Sequence, residues 1–413
     1  MRYPLTAALA ASIAFSGIGA AAAADIEVIH WWTAGGEQAA VKVFAEEFDK
    51  LGDDKWVDTA IALGENARAA TMQRILGNDA PEAAQFNTSR QFEELIEAGL
   101  LLDLTDLAEK EGWKDFIRPS EILDPCTKDG RIYCVPVNIH SNQWIWTNKK
   151  VYEKAGVSEP ATWQDIVDSG PKLRESGAIP LAFGGQGWQE SLVFDAVLIG
   201  TQGKDLWMKV FSDKDVGAAS SPEMLQVFET FGKLRDLTDD GAANRNWNDT
   251  TNLVITGKAG AQVMGDWARG EFALAGMKAD VDYGCIPGPS SQPYLTLGGD
   301  IFLFPKQSDP EVEAAQLKMA SMMVNPSVQA KFNNAKGSLP VRDDVDMALA
   351  DDCMKKGLEL LKNPEAPIKP RNALLSADGD GQVQDVISQF WNNAGMSAAD
   401  AQAQFVKIIE NAD

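Results

Sequence analysis

The sequence contains little of what metal-binding and nucleic-acid-binding proteins need. Among its 413 residues are two histidines and four cysteines, and no cysteines have the CxxC spacing of a zinc site. Asp and Glu together number 60, against 37 Lys and Arg, which gives a formal net charge of −23. Such a surface would repel a phosphate backbone. We therefore predict no metal site, no cofactor and no nucleic-acid partner.

Long apolar runs are also missing, except at the N-terminus. Residues 1–24 contain Arg2, a mostly apolar stretch and then alanines up to Ala24, which is the order of a cleaved secretory signal. An ordinary N-terminal helix is the alternative. Downstream, no stretch approaches the roughly 18 apolar residues of a membrane span. We predict a signal peptide at 1–24, cleavage before Asp25, export to the periplasm and a soluble mature chain.

The four cysteines are Cys126, Cys134, Cys285 and Cys353, and four cysteines allow three pairings. Disulfides persist outside the cytoplasm, so the even count favours bridges over free thiols. Cys126 and Cys134 flank an Asp-Gly turn signal, and the arms of a hairpin lie within bridging distance. We predict the bridges Cys126–Cys134 and Cys285–Cys353, which would stabilise the fold by about 2.5 and about 4.5 kcal/mol respectively if strain is small.

Strand and helix signals alternate along the chain, which predicts an α/β fold. Residues 25–32 have a strand-like pattern, Gly35 and Gly36 break it, and a helix is predicted from Glu37. Caps and first-turn prolines mark three further helix starts, at Thr162, Ser221-Pro222 and Asp309-Pro310. The mature chain is long enough for two hydrophobic cores.

Three segments are extended in pattern, two of them for much longer than an ordinary strand. They are residues 131–147, 294–305 and 335–341. A strand that passes from one lobe into another would have this pattern, and three passages would make a hinge. We predict two lobes with a ligand cleft between them, the first of residues 25–138 plus 298–336 and the second of residues 139–297 plus 337–413.

Four motifs resemble those of one protein family. They are Trp31-Trp32, the strand 135–146 followed by Thr147-Asn148-Lys149, Gly265-Asp266-Trp267, and Gly337-Ser338-Leu339-Pro340-Val341-Arg342. In this order they resemble the family 1 extracellular solute-binding proteins, sugar receptors of bacterial ABC importers related to maltose-binding protein. Within that family the sequence is most similar to the glucose/mannose-binding branch.

The resemblance covers the whole mature chain and carries several implications. It implies two α/β lobes joined by a three-segment hinge, with the ligand in the cleft. It implies a monosaccharide such as glucose, mannose or a close relative. It also implies that the membrane permease subunits of an importer are partners, and that the chain is a monomeric receptor rather than an enzyme.

Sugar recognition requires hydrogen-bond partners for the hydroxyls and a flat apolar platform for the C–H faces of the ring. The chain has 12 tryptophans and five tyrosines, and indole supplies such a platform with a polar N–H at its rim. Trp31 and Trp32 end the first predicted strand, where ligands bind in open α/β sheets. Core packing is the alternative for each, but the pair predicts at least one cleft residue.

The resemblance to the glucose-binding branch implies ligand contacts from both lobes. The residues that it carries over are Trp31, Trp32, Glu37, Gln85, Asn87, Trp247, Trp267, Asp300 and Lys336. Some members have histidine in place of Asn87 and another near the C-terminus, whereas this chain has no histidine after His140. Arg371 or Asn372 takes that last position, which leaves glucose specificity open. His140 lies in the predicted hinge strand, where it either contacts the ligand or serves the structure.

Other classes of protein remain open from the sequence. A secreted carbohydrate-active enzyme would need two carboxylates about 5–10 Å apart, which Glu37, Asp266 and Asp300 could supply. No nucleophile elbow or HExxH motif supports that alternative. A receptor for an oligosaccharide, a polyamine or iron is a further alternative. Lys336 disfavours polyamines, and the few tyrosines and histidines disfavour iron. We predict no catalytic residues.

Overall fold

The computed structural model describes residues 24–290, 294–346, 348 and 350–412. The predicted signal peptide, residues 1–24, therefore lies outside the described residues apart from Ala24. Within the described part of the chain, no helix has the length and apolar character needed to cross a membrane.

The described residues form short and medium strands distributed along the chain. They are β1 (Asp25–His30), β2 (Lys55–Ala60), β3 (Ala83–Asn87), β4 (Thr127–Lys128), β5 (Arg131–Ile132), β6 (Cys134–Pro136), β7 (Ile145–Asn148), β8 (Ile179–Ala182), β9 (Ala259–Val263), β10 (Tyr283–Ile286), β11 (Leu295–Thr296), β12 (Asp300–Leu303) and β13 (Pro367–Ile368).

Helices account for most of the remaining regular structure. They are α1 (Gly35–Asp49), α2 (Gly64–Leu76), α3 (Glu93–Glu97), α4 (Thr105–Glu111), α5 (Trp113–Phe116), α6 (Lys149–Ala155), α7 (Trp163–Glu175), α8 (Gly187–Phe211), α9 (Val216–Ala219), α10 (Pro222–Leu234), α11 (Trp247–Ile255), α12 (Ala268–Leu274), α13 (Pro310–Met323), α14 (Pro326–Lys336), α15 (Asp352–Leu361), α16 (Arg371–Leu374), α17 (Ala377–Asn392) and α18 (Ala398–Glu410). Short 3₁₀ turns occupy Ser120–Cys126, Arg235–Leu237 and Asp240–Ala242.

The three helix starts that were predicted from caps are confirmed, whereas α1 begins two residues before the predicted Glu37. The Thr162 hydroxyl accepts a hydrogen bond from the Asp165 backbone N–H at 3.1 Å, and α7 begins at the next residue. Ser221 caps α10 and Asp309 caps α13, each just before a proline in the first turn. Side-chain oxygens at these positions satisfy backbone N–H groups that have no partner within the helix.

The first sheet has the strand order β2-β1-β3-β12-β6. Strands β1, β2 and β3 are parallel, whereas β12 is antiparallel to both β3 and β6. The carboxyl ends of β1 and β3 and the start of β12 therefore meet at one edge of the sheet. Helices α1, α13 and α14 pack together beside this sheet.

The second sheet has the strand order β10-β7-β9-β8. Strand β7 is antiparallel to β9 and β10, and β8 is parallel to β9. Helices α8, α10, α17 and α18 pack against one another in this half of the molecule. Buried apolar side chains form two separate clusters, one with the strands of each sheet. The predicted α/β fold with two lobes is thereby confirmed.

The chain connects the two sheets within two of the segments that the sequence predicts as passages between the lobes. The chain leaves the first sheet after β6 and enters the second at β7, and it returns between β10 and β12. These passages correspond to segments 131–147 and 294–305.

The third passage lies later than predicted. The sequence assigns residues 337–413 to the second lobe, but Leu339, Val341, Ala350 and Met354 pack in the first cluster. Segment 335–341 has an extended pattern because Leu339 forms an antiparallel bridge with Ile139, not because it crosses. The chain passes over after α15, through β13, which pairs with β11.

Both predicted disulfides are present. Cys126 and Cys134 have Cα atoms 5.0 Å apart and flank the β4–β5 hairpin, and Cys285 and Cys353 have Cα atoms 5.8 Å apart. The hairpin turn contains Gly130 at φ 80°, a backbone conformation that glycine adopts without steric cost. Because Cys285 lies in β10 and Cys353 in α15, the second bridge ties the second sheet to the helix before the third passage.

Candidate functional site

The candidate site begins at the edge of the first sheet where β1 and β3 end and β12 starts. Asn87 is the last residue of β3 and pairs in register with Asp300, the first residue of β12. Asn138 and His140 follow β6, the other neighbour of β12. Ligands bind at the carboxyl ends of strands in open α/β sheets, and this edge gathers polar side chains.

The buried Asp300 carboxylate is the centre of this polar group. Its Oδ1 accepts hydrogen bonds from Gln85 Nε2 at 3.0 Å and from Asn87 Nδ2 at 3.2 Å. Its Oδ2 accepts a hydrogen bond from Asn138 Nδ2 at 2.8 Å and lies 3.0 Å from His140 Nε2. Protein groups therefore occupy all four lone-pair positions of this carboxylate.

These contacts keep Asp300 charged. Burial by itself would raise the pKa of Asp300, because a charged carboxylate loses its hydration. The charge and hydrogen bond of His140, together with the Lys336 ammonium and the Asn138 amide, outweigh burial and lower that pKa to about 2.

His140 joins the two lobes through its two ring nitrogens. Nδ1 lies 2.5 Å from Oδ1 of Asp266, which lies between β9 and α12 of the second lobe, and Nε2 faces Asp300 of the first lobe. Burial lowers the pKa of His140 and Lys336 opposes its charge, but the two carboxylates outweigh both, so that this pKa is raised. A protonated ring donates from both nitrogens. Asp266, His140 and Asp300 therefore form a continuous ionic chain between the lobes.

A second buried ion pair lies beside this chain. Nζ of Lys336, the last residue of α14, is 3.3 Å from Oε1 of Glu37 in the first turn of α1, and both side chains are under 10% exposed. The same ammonium lies 5.8 Å from the ring centroids of Trp32 and Trp267, within the range of a cation–π interaction. Burial raises the pKa of Glu37 by more than the charge of Lys336 lowers it.

Tryptophans of the second lobe form an aromatic wall next to these charges. The centroid of the Trp267 ring is 5.0 Å from that of His140, 6.3 Å from that of Trp188 and 6.5 Å from that of Trp247. All three tryptophans are partly exposed. The predicted Trp247 and Trp267 are thus brought together, and Trp188 joins them.

Trp31 and Trp32 have different surroundings although they are adjacent. Trp31 is half-buried, its backbone N–H donates to Gln85 Oε1 at 3.0 Å, and the Arg68 guanidinium lies 5.2 Å from its ring centroid. Trp32 is 1% exposed and packs in the first core against Phe44, Phe302 and Phe332. Trp31 therefore lies in the wall of the site, whereas Trp32 belongs mainly to the core.

Arg371 and Asn372, the two candidates for the ligand contact near the C-terminus, also differ in their surroundings. Arg371 donates to Asp380 at 2.7 Å, to Asp195 at 2.7 Å and to Ser191 at 2.8 Å, so its guanidinium is engaged within the second lobe. Asn372 has a buried Oδ1 with no hydrogen-bond partner among the described residues. Of the two, Asn372 keeps the capacity to bind a ligand.

Two further contacts hold the lobes together near the site. Glu271 Oε1 accepts a hydrogen bond of 2.7 Å from the backbone N–H of Gly36, at the start of α1. Arg269 donates to Asp351 and to three carbonyl oxygens at the end of α14, of Asn333, Asn334 and Gly337. A helix favours negative charge at its N-terminus and positive charge at its C-terminus. Glu271 therefore has a favourable position at the start of α1, and Arg269 has one at the end of α14. A Cβ at Gly36 would lie 2.9 Å from the Gly270 carbonyl carbon, so the close approach requires glycine.

The sequence interpretation missed two residues of this cluster. Asn138 lies two residues before His140 in one extended segment, and strand periodicity could have shown that both face the same side. Arg68 lies on α2, where its sequence context does not distinguish it from solvent-exposed helix positions. Within the part of the chain that the structure describes, no group of three or more His, Cys, Asp or Glu side chains could hold a metal ion.

Comparison with known proteins identifies the family. The family model for bacterial extracellular solute-binding proteins matches residues 32–329, which is more than half of the chain. The chain belongs to this family. It is 36% identical over 399 residues to a protein of Brucella melitensis named "Probable sugar-binding periplasmic protein", covering 94% of this chain and 92% of the relative. A protein of the same name from Rhizobium meliloti is 35% identical over 423 residues, covering all of both chains.

Solved structures of solute-binding proteins share the two-lobed fold. A chitin oligosaccharide binding protein superposes with a TM-score of 0.78 at 17% identity, covering 94% of this chain and 98% of the other. A bacterial solute receptor described as preferring β-D-galactopyranose superposes with a TM-score of 0.79 at 18% identity, with the same coverage. Likeness at these identities shows the fold alone. The predicted family is confirmed, and its glucose/mannose branch stays a prediction.

Proposed function

We propose that this protein is a periplasmic receptor that binds a sugar and delivers it to the permease subunits of an ABC importer. The ligand we propose is a monosaccharide such as glucose, mannose or a close relative. The names of the Brucella and Rhizobium relatives support a sugar as the ligand. The single observation that carries the proposal is that the partly exposed Trp267 ring of the second lobe lies beside the Glu37–Lys336 ion pair of the first lobe and beside His140, which joins Asp266 and Asp300 across the two lobes.

The chemistry of this arrangement suits a pyranose. Its C–H face can lie on the indole ring of Trp267, which is a flat apolar surface. Its hydroxyls need both donors and acceptors, since an unpaired polar group in a closed cleft costs on the order of 1–3 kcal/mol. Lys336 uses one of its three N–H donors on Glu37, and Glu37 in turn keeps acceptor positions free.

The small size of the charged cluster supports a monosaccharide. His140 and Asp300 are 3.0 Å apart, and Lys336 and Glu37 are 3.3 Å apart. The Trp267 ring lies within 6 Å of both His140 and Lys336. Groups this close together can surround one sugar ring. An oligosaccharide is the alternative ligand, because a chitin oligosaccharide binding protein shares the fold.

A carbohydrate-active enzyme is the alternative class of function. Glu37 and Asp300 have pKa values shifted in opposite directions, which is how paired carboxylates become the acid and the base of a hydrolase. In this structure, however, Glu37 pairs with Lys336 and Asp300 with His140. These ion pairs favour binding over proton transfer.

We further propose that the receptor is exported by cleavage after Ala24 and acts as a monomer. Its lobes would correspond to the predicted ranges, with the third boundary moved past Met354. Because the proposed contacts come from both lobes, the ligand binds the closed arrangement better than an open one, and this difference in affinity drives closure.

The proposal is tested by isothermal titration calorimetry of residues 25–413 against monosaccharides and their di- and trisaccharides, with chromatographic analysis of the sugars afterwards. We expect one monosaccharide or a narrow group to bind and to be recovered unchanged. Binding of oligosaccharides alone would change the ligand class, and shortened products would show a hydrolase. Failure of every sugar to bind would contradict the proposal.

A further inference from the structure

Most hydrogen-bond acceptors of the site are already used by the protein itself. The Asp300 carboxylate accepts from or faces four protein groups. The Asp266 carboxylate faces the His140 ring and accepts a hydrogen bond from the Ser141 backbone N–H. Gln85 and Asn87 each have an oxygen that accepts one protein hydrogen bond and an amide that donates to Asp300.

Arg68 differs from these groups because most of its donors are free. The structure gives its side chain one hydrogen bond within the described residues, from Nη1 to Asn87 Oδ1 at 3.2 Å. Arginine has five N–H donors. The carboxylates of Glu65, Asp300 and Asp380 act on it electrostatically, but among the described residues it has no ion pair. Arg371, by contrast, donates to two carboxylates.

The position of Arg68 is built into the first-lobe wall. Its guanidinium lies over the Trp31 ring, and its hydrogen bond to Asn87 connects it to Asp300 through one amide. Gly64, the first residue of α2, makes room for it. A Cβ there would lie 2.8 Å from Arg68 Nη1 and 3.3 Å from the Trp31 ring. The side chain therefore turns toward the sheet edge rather than toward solvent along the helix.

A half-buried guanidinium with unused donors needs acceptors, because burying an unpaired charged group is costly. The hydroxyl and ring oxygens of a sugar are such acceptors. We propose that Arg68 is a ligand-binding residue that donates hydrogen bonds to the sugar from the first lobe and contributes to its selectivity. This inference rests on the proposed function of the site.

The test compares three variants in calorimetry with the sugar that the wild type binds. Arg68→Gln should weaken the affinity by about tenfold or more, since hydrogen bonds to a charged group are stronger than neutral ones. Arg68→Lys should recover only part of the loss, because an ammonium keeps the charge but not the planar fork. Arg74→Gln is the matched control. Arg74 lies on the same helix and is paired with Glu27 at 2.8 Å, so its variant should bind like the wild type.

Monodeoxy sugars separate a direct contact from an indirect effect through Asn87. If Arg68 binds a particular hydroxyl, the analogue that lacks it should bind equally to the wild type and to Arg68→Gln, while other analogues keep the full difference. If Arg68→Gln weakens the affinity for every monodeoxy sugar by the same factor, Arg68 does not contact a hydroxyl directly and the inference is wrong. Wild-type affinity in Arg68→Gln would overturn this inference alone, whereas a wild type that binds no sugar would contradict the proposed function as well.

Discussion

The two faces that meet at the site have different chemistry. The first lobe contributes mainly polar and charged side chains, which are Glu37, Arg68, Gln85, Asn87, Asp300 and Lys336, together with the ring of Trp31. The second lobe contributes mainly aromatic rings, which are Trp188, Trp247 and Trp267, together with the carboxylate of Asp266. A sugar needs polar partners and an apolar platform together. Under the proposed function, the polar contacts of the sugar would come mainly from the first lobe and its apolar platform mainly from the second.

The two faces also differ in what holds them in place. The polar face is held by sheet register and by buried hydrogen bonds around Asp300, so a change there should affect folding as well as binding. The rings of the aromatic face are partly exposed, so a change there should affect binding more than folding. Four predictions test this contrast, from the largest expected effect to the smallest.

Asp300→Ala should produce the largest effect. Removing the carboxylate leaves the buried His140 cation with Asp266 alone and leaves the amides of Gln85 and Asn138 without their acceptor. We expect the free energy of unfolding to fall by about 3–5 kcal/mol, as for other broken buried ion pairs, and sugar binding to be lost. Urea unfolding followed by circular dichroism measures the first effect. The exposed Asp53→Ala serves as control, and equal stability of the two variants would contradict the central role of Asp300.

Trp267→Ala should mainly reduce affinity. A stacked aromatic face contributes about 1.5–3 kcal/mol to binding, so we expect the dissociation constant to rise about tenfold or more. The free energy of unfolding should fall by less than in Asp300→Ala. Calorimetry measures the affinity. Trp56→Ala, on the edge strand β2 of the first sheet, is the control with a tryptophan outside the cluster. Normal binding by the Trp267 variant would assign this ring to structure rather than to the ligand.

Glu271→Gln should have a smaller effect than Trp267→Ala on sugar affinity, because it weakens a contact between the two lobes and removes no part of the aromatic face. Its hydrogen bond to Gly36 holds α12 against the start of α1, and loss of the charge should weaken this contact by about 0.5–1.5 kcal/mol. We expect severalfold weaker sugar binding, and a ligand-free radius of gyration in small-angle scattering that is larger than that of the wild type. The exposed Glu109→Gln should change neither. If saturating sugar leaves the scattering of the wild type unchanged, closure of the lobes on binding is wrong.

The smallest effect is expected from a change of pH in the wild type, because only the protonation of its side chains changes. The raised pKa of His140 gives stability that is present below the ordinary histidine value of about 6.5 and is lost as pH rises through the folded-state pKa. The pKa of Asp300, lowered to about 2, gives stability that is lost as pH falls toward that value. Urea unfolding across pH should therefore show His140→Gln approaching the wild type at high pH. Parallel curves at every pH would contradict an ionised His140.

Features encoded within a few residues were predictable. The hairpin bridged by Cys126 and Cys134 follows from a turn signal between two nearby cysteines. The helix starts after Thr162 and Ser221 follow from side chains that cap the next turn. The third passage between the lobes was not predictable in this way. The extended pattern at Leu339 indicates that the segment pairs with another strand, but it does not indicate which lobe the chain enters.

The candidate site was predictable in part. The resemblance to the glucose-binding branch led to Trp267, Asp300 and Lys336, and the structure places these together with Glu37 and His140. The resemblance could not separate Trp31 from Trp32 or Asn372 from Arg371. In each pair, both side chains have the chemistry to bind a sugar. Packing against distant residues buries Trp32, and ion pairs with distant residues engage Arg371.

By itself the sequence determined the alternation of strands and helices, the two disulfides, the caps and the family. Only the tertiary structure decided which polar groups remain free for a ligand. The reason is sequence separation: Gln85 and Asp300 are 215 residues apart, Glu37 and Lys336 are 299 residues apart, and His140 and Asp266 are 126 residues apart. Periodicity and local motifs describe neighbours along the chain, whereas the saturation of Asp300 and the free donors of Arg68 depend on contacts that exist only after distant segments of the chain have folded together.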